Sequence, residues 1–249
     1  MSFLGQNSFA LDRFQVEYGD GTVSRVMSFD EVMACPVSRH YFQLRREVFV
    51  EAMEWDLPVT EAGEEIDQYD GDDAIYVITT KGGECVGGCR LMLTNAVRVG
   101  DDGQPVTYMI RDALEGRLRD IPEDVSQIKP VDPGVWEMTR VISQNPVTYK
   151  LFMAFVIDFM RSRGGEICIF LSRPASAPLC NRWGYEVYEV GPRVGLGRAQ
   201  FVAVCCFLAR PDVRQPYEAY KCPPRSLIER FGTPVAQATL DRLYAQPAE

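Results

Sequence analysis

The sequence predicts an α/β protein of the α+β kind: one mixed β-sheet with helices on its faces. Three observations point there. Several runs alternate or are β-branched over strand length; two apolar runs are joined by a glycine turn; and a long, almost wholly apolar helix ends in glycine. The 249 residues, 46% hydrophobic and 24% charged, suffice for one large core. We expect one domain over residues 1–210 and a C-terminal extension over 211–249.

The elements follow in order. RFQVEYG and TVSRVMSF read as strands around a GDG turn. Over residues 38–52, Tyr41, Leu44, Val48 and Ala52 recur at helical spacing, with Ser38 as the expected N-cap. Residues 57–73 hold seven carboxylates and read as a loop. DAIYVITT and ECVGGCRLMLT form a hairpin through KGG. VTYMIRD is expected as a strand, followed by a short helix near ALEGRL. VWEMTRVIS is a strand and PVTYKLFMAFVIDFMRSRG a buried helix. EICIFLS, a short helix at PASAPLCNRWG, then YEVYEVG and AQFVAVCCFLA complete the sheet. The proline-rich tail predicts one or two short helices.

Composition excludes several functions. A net charge of −9 without a basic block argues against nucleic acid. The longest apolar runs span about half a bilayer, and the first residues lack a charged start before an apolar core, so neither membrane nor secretion is expected. The expected location is cytoplasmic. Eight cysteines without a CxxC pair, and the single His40, give no metal-binding pattern and no Ser/His or Cys/His catalytic set. In a cytosolic chain those thiols serve as small hydrophobes. The GGC and GLG stretches lack the strand–loop–helix setting of a phosphate-binding loop.

What remains is a set of charged and aromatic residues. Arg45 and Phe49 share a helix face, and Trp55 lies six residues beyond. Asp67 and Asp70 stand three apart in the acidic loop. Arg90 interrupts an apolar strand, where an unpaired guanidinium is costly. Glu137 and Arg140 lie on another strand, where residues three apart face opposite sides unless a bulge or strand end intervenes. Singly, each admits a plain alternative: a solvated helix arginine, core aromatics, a sheet ion pair.

Jointly, LRREVF, the later Trp, DQYD, the CR of the hairpin and EMTR resemble the acyl-homoserine-lactone synthases, the autoinducer synthases of bacterial quorum sensing. The resemblance covers about residues 14–210. It implies a fold like that of the GNAT acyltransferases, with a V-shaped sheet. It also implies a transferase reaction in which an acyl thioester acylates the amine of S-adenosylmethionine. Lactone closure then releases methylthioadenosine. On this reading Glu137 is the catalytic base. Arg45, Phe49 and Trp55 bind S-adenosylmethionine, Arg45 holding its carboxylate. Asp67, Asp70, Arg90 and Arg140 form an ion-pair network that orders the site. Met153, Phe155, Ile169 and Leu171 line the acyl pocket. Ile169 stands where relatives using 3-oxo chains carry threonine, which implies an unsubstituted chain. S-adenosylmethionine is a co-substrate, and no further cofactor or metal is implied. The donor is acyl carrier protein or acyl-CoA. The alternatives are a GNAT-like N-acyltransferase for another amine, or a non-catalytic sensor of acyl or S-adenosylmethionine ligands.

Overall fold

The computed structural model describes residues 14–244 except 101, 145, 196, 198, 199 and 210–216. The N-terminal stretch to Arg13, Leu196 of the GLG stretch and the expected boundary at 210–211 lie outside the described residues. Two compact units share the chain: Met1–Val106 with Met138–Gly164, and Thr107–Glu137 with Gly165–Glu249. Strand β7 (Val135–Ser143) runs from the second into the first.

In the first unit, β1 (Gln15–Glu17), β2 (Thr22–Ser28), β3 (Ala74–Lys81) and β4 (Glu84–Leu93) form an antiparallel succession with β7 next to β4. The hairpin turn is Gly82–Gly83, both at positive φ (60° and 85°), which matches the twist of the flanking strands. Ser28 caps α1 (Phe29–Ala34) in a capping box with Glu31.

The helix expected over residues 38–52 begins earlier and changes character. α2 spans Pro36–Arg45, with Cys35 at the cap position and Pro36 opening the first turn, so Ser38 is not the cap. Its continuation, Arg46–Ala52, is a π-helical turn closed by Met53 N–H on the Val48 carbonyl at 3.1 Å. Tyr41, Phe42 and Leu44 pack with Tyr76, Ile78 and Ile142 into this unit's core. The long helix is α4 (Pro146–Ser162).

In the second unit, β8 (Ile167–Ser172) pairs parallel with β7, Glu137 opposite Ile169. β10 (Val202–Phe207) is antiparallel to β8 and to β9 (Glu186–Glu189), and α5 spans Ser176–Arg182. The mixed sheet with flanking helices is thus the architecture observed.

VTYMIRD is not a strand. β5 (Arg98–Val99) and β6 (Pro105–Val106) make a two-residue ladder, and Met109–Leu114 is helix α3. The tail contains a 3₁₀ turn (Tyr217–Lys221), α6 (Arg225–Phe231) and α7 (Pro234–Tyr244). Leu227, Ile228 and Phe231 are buried with Tyr108, Val135 and Ile169, so this segment is part of the unit's core rather than an appendage.

Candidate functional site

Three arginines with almost no accessible surface lie in the first unit. Arg45 on α2 and Arg90 on β4 are 0% exposed, and Arg140 on β7 is 8% exposed. Guanidinium groups cannot shed their charge, so burial demands carboxylates. The loop after the π-turn supplies three. Arg45 donates Nε to Glu65 at 2.5 Å and grips Asp70 through both terminal nitrogens at 2.8 and 2.9 Å. Arg90 grips Asp67 at 2.5 and 3.2 Å, with Nε on Thr139 Oγ1 at 3.1 Å. Arg140 bridges Glu65, at 3.1 and 3.2 Å, and Asp67, at 2.9 Å. Three positive charges meet three negative ones in interlocking forks.

The loop holds its own carboxylates in place. Asp67 N–H donates to Asp70 at 2.8 Å, Tyr69 N–H to Asp67 at 2.8 Å, and the buried Tyr76 hydroxyl to Asp70 at 2.6 Å. Burial works against the ionised form of Asp70, but Arg90 and Arg45 outweigh it and keep its carboxyl far below the usual range. Asp67 is held low in the same way: Arg90 leads the opposition to burial, aided by Arg140. Burial pushes the Tyr76 hydroxyl well up, reinforced by Asp70.

Phe49 and Trp55 stack at 5.2 Å with 20° between planes, and the Arg140 guanidinium lies 5.3 Å from the first ring and 6.0 Å from the second. Phe49 is buried, whereas Trp55 is 42% exposed and offers aromatic surface to solvent.

Glu137 belongs to the second unit. It is 1% exposed and accepts from the backbone N–H of Met109 and Ile110, 2.8 Å to each oxygen. Its carboxylate therefore caps α3 from a distant strand, in the way a local Asp or Ser does at other helices.

The structure thus brings together Asp67, Asp70, Arg90 and Arg140. It adds Arg45, whose fork is spent on Glu65 and Asp70; this departs from the expectation that Arg45 grips a substrate carboxylate, because no part of it is exposed. Phe49 likewise faces Trp55 and Arg140 from a buried position. Among the acyl-pocket residues, Met153 is buried and Phe155 half-buried on α4, Phe155 lying 5.5 Å from Phe14. Ile169 and Leu171 belong to the second unit, Ile169 inside its core and Leu171 packed against it.

Glu65 was missed by sequence reasoning, along with Tyr41, Tyr76 and Thr139. A charge count was the available signal: three arginines at strand and helix positions need three acids, and DQYD supplies two. Among the described residues, no cluster of three or more His, Cys, Asp or Glu side chains can hold a metal ion, and no helix is long and apolar enough to cross a membrane.

The model of the autoinducer synthase family matches residues 31–100. An acyl-homoserine-lactone synthase of Ralstonia nicotianae is 27% identical over 177 residues, covering 66% of this chain and 77% of that protein. One from Aliivibrio fischeri is 32% identical over 126 residues, covering 47% and 57%. An isovaleryl-homoserine lactone synthase of Bradyrhizobium diazoefficiens is 29% identical over 104 residues, covering 42% and 40%. Among solved structures, the CoA-dependent acyl-homoserine lactone synthase BjaI with SAM and isopentyl-CoA superposes with a TM-score of 0.58 at 18% identity, covering 90% of this chain and 89% of that one. TofI, in a ternary complex with an inhibitor and MTA, gives 0.54 at 23% identity, covering 74% and 91%.

Proposed function

We propose that this chain, which belongs to the autoinducer synthase family and is an acyltransferase, makes an acyl-homoserine lactone as a quorum-sensing signal. The amine of S-adenosylmethionine attacks the carbonyl of an acyl thioester, forming the amide and releasing the thiol. The methionine carboxylate then displaces the sulfonium at the γ-carbon, closing the lactone and releasing methylthioadenosine. No metal or resident cofactor enters the scheme, and both substrates place it in the cytoplasm.

The observation that supports this reading best is the buried cluster of three arginines and three carboxylates, of which all but Glu65 stand at positions that resemble the family's signature. An ordinary sheet protein gains little from burying six charges, since apolar side chains of similar volume serve stability as well. A rigid, preorganised array makes sense beside a zwitterionic, cationic substrate. In this proposal Trp55 supplies aromatic surface for the sulfonium or adenine, and Phe49 and Arg140 hold the Trp55 ring in place. Arg45 acts through Asp70 and Glu65 rather than by touching substrate. Glu137 takes the amine proton through one water, since its own carboxylate is 1% exposed and accepts from Met109 and Ile110. The donor is an acyl thioester of CoA or of acyl carrier protein. The apolar Ile169, with Leu171 beside it in the second unit, fits an unsubstituted chain.

The test is incubation with S-adenosylmethionine and matched CoA and carrier-protein thioesters, plain and 3-oxo, with mass spectrometry for lactone and methylthioadenosine. Amide formation without methylthioadenosine would favour another amine acceptor, and binding without turnover a sensor. Glu137→Gln is expected to lower kcat by about 10²–10⁴-fold. Turnover at the wild-type rate would remove Glu137 from the chemistry.

A further inference from the structure

Arg140 lies inside a strand yet has φ of 54°, the left-handed region that side chains other than glycine seldom adopt. Such a conformation persists only where its surroundings over-determine it. One of those surroundings belongs to no expected site. The Tyr41 hydroxyl donates to the backbone carbonyl of Arg140 at 2.6 Å. Tyr41 is 0% exposed, three turns of α2 anchor it, and its ring packs on Gly88 of β4. A Cβ at Gly88 would stand 3.0 Å from that ring and 2.7 Å from the Val77 carbonyl, so the glycine gives Tyr41 its place.

We infer that Tyr41 is a positioning residue: its hydroxyl clamps the carbonyl of Arg140 and thereby fixes that guanidinium over the Phe49–Trp55 pair and onto Glu65 and Asp67. The direction of a side chain is set at Cα, and at residue 140 the backbone departs from the strand. A relaxation toward extended φ would swing the guanidinium away from both acids at once. A second buried phenol, Tyr76, serves a different part of the cluster, donating to Asp70 rather than to Arg140. The pair of hydroxyls therefore separates the clamp from the general effect of losing a buried hydrogen bond.

The inference rests on the proposed function for its kinetic consequence but not for its structural one. The first readout is the Arg140 Nε–H resonance in wild-type protein, assigned by its loss in Arg140→Lys. That proton is bonded to Glu65 at 3.1 Å, and it should exchange slowly. Tyr41→Phe is expected to broaden it or accelerate its exchange, whereas Tyr76→Phe leaves it unchanged. Gly88→Ala crowds the same ring and should reproduce the Tyr41→Phe signature in any fraction that folds. The second readout is kinetic. Tyr41→Phe should raise KM for S-adenosylmethionine and lower kcat/KM by about 10- to 100-fold, the range for a displaced positioning group, with KM for the acyl donor unchanged.

A lower Tm with an unaltered Nε–H signal and unaltered KM would overturn the clamp and leave Tyr41 as packing only. An altered signal in an enzyme whose wild type makes no lactone would uphold the clamp and overturn the function instead.

Discussion

At Arg90, a cation without exposed surface is held by one bidentate carboxylate, a threonine oxygen and a second acid 2.9 Å away. Removing one member leaves the others buried and unmatched. Asp67→Asn or Arg90→Met should therefore cost about 3–5 kcal/mol, measured by urea denaturation. A cost below about 1 kcal/mol would mean that water reaches the cluster and that it is a surface network. Glu137→Gln needs the same measurement, because an amide puts a donor against the N–H of Met109 or Ile110. The expected loss is about 1–3 kcal/mol, and the kinetic effect must be read on folded enzyme. Arg90 was legible in the sequence because it breaks an apolar run. Glu65 was not, because seven acids share its loop and their side-chain directions depend on arginines up to 75 residues away.

Helix and strand identities were legible wherever local chemistry decides them. The Gly82–Gly83 turn fixes its hairpin, and the long apolar run before Gly164 can only be a buried helix. α3 was misread for a physical reason. Val106, Tyr108 and Ile110 recur at every second position as on a strand face, but the first N–H groups of the helix are satisfied by a carboxylate 27 residues downstream. No pattern within the segment reveals that acceptor. The π-turn after Arg45 was equally hidden, since it leaves the apolar spacing nearly helical. α1 is the contrasting case, with both halves of its capping box adjacent in sequence. Ser28→Ala should lower stability by about 1 kcal/mol, read as a shifted denaturation midpoint with unchanged slope.

For the molecule as a whole, the cluster sets the response to acid. Asp67 and Asp70 have carboxyls depressed in the folded state, first against burial and then by Arg90. Their contribution is fully present above the unfolded carboxyl range, about pH 4, and drains away as pH falls below it. The buried tyrosines Tyr41, Tyr76 and Tyr108 are raised, chiefly by burial. Their contribution is complete below about pH 10 and is lost as pH rises further. A urea midpoint that holds level between these limits and falls on both sides is the expected profile; a midpoint already falling near pH 6 would contradict it.

The tail belongs to the same scale. Ile228→Ala should cost about 2–5 kcal/mol, as for any core side chain, although composition alone marks that region as an extension. The buried face of α6 was not legible because prolines and charges dominate the segment, while the three buried residues of that helix are spread over five positions.

The partition into two units has a consequence for biosynthesis. Each unit is assembled from two stretches that alternate along the polypeptide, so the chain passes from one to the other three times. As translation proceeds, the first 106 residues emerge lacking α4 and their share of β7, and must wait for some sixty more before their core can close. The first unit should consequently close late and slowly, governed by long-separation contacts. Ribosome-stalled nascent chains ending at residue 106 should remain protease-sensitive, whereas those extending past 164 by enough to clear the exit tunnel should become resistant over the first unit.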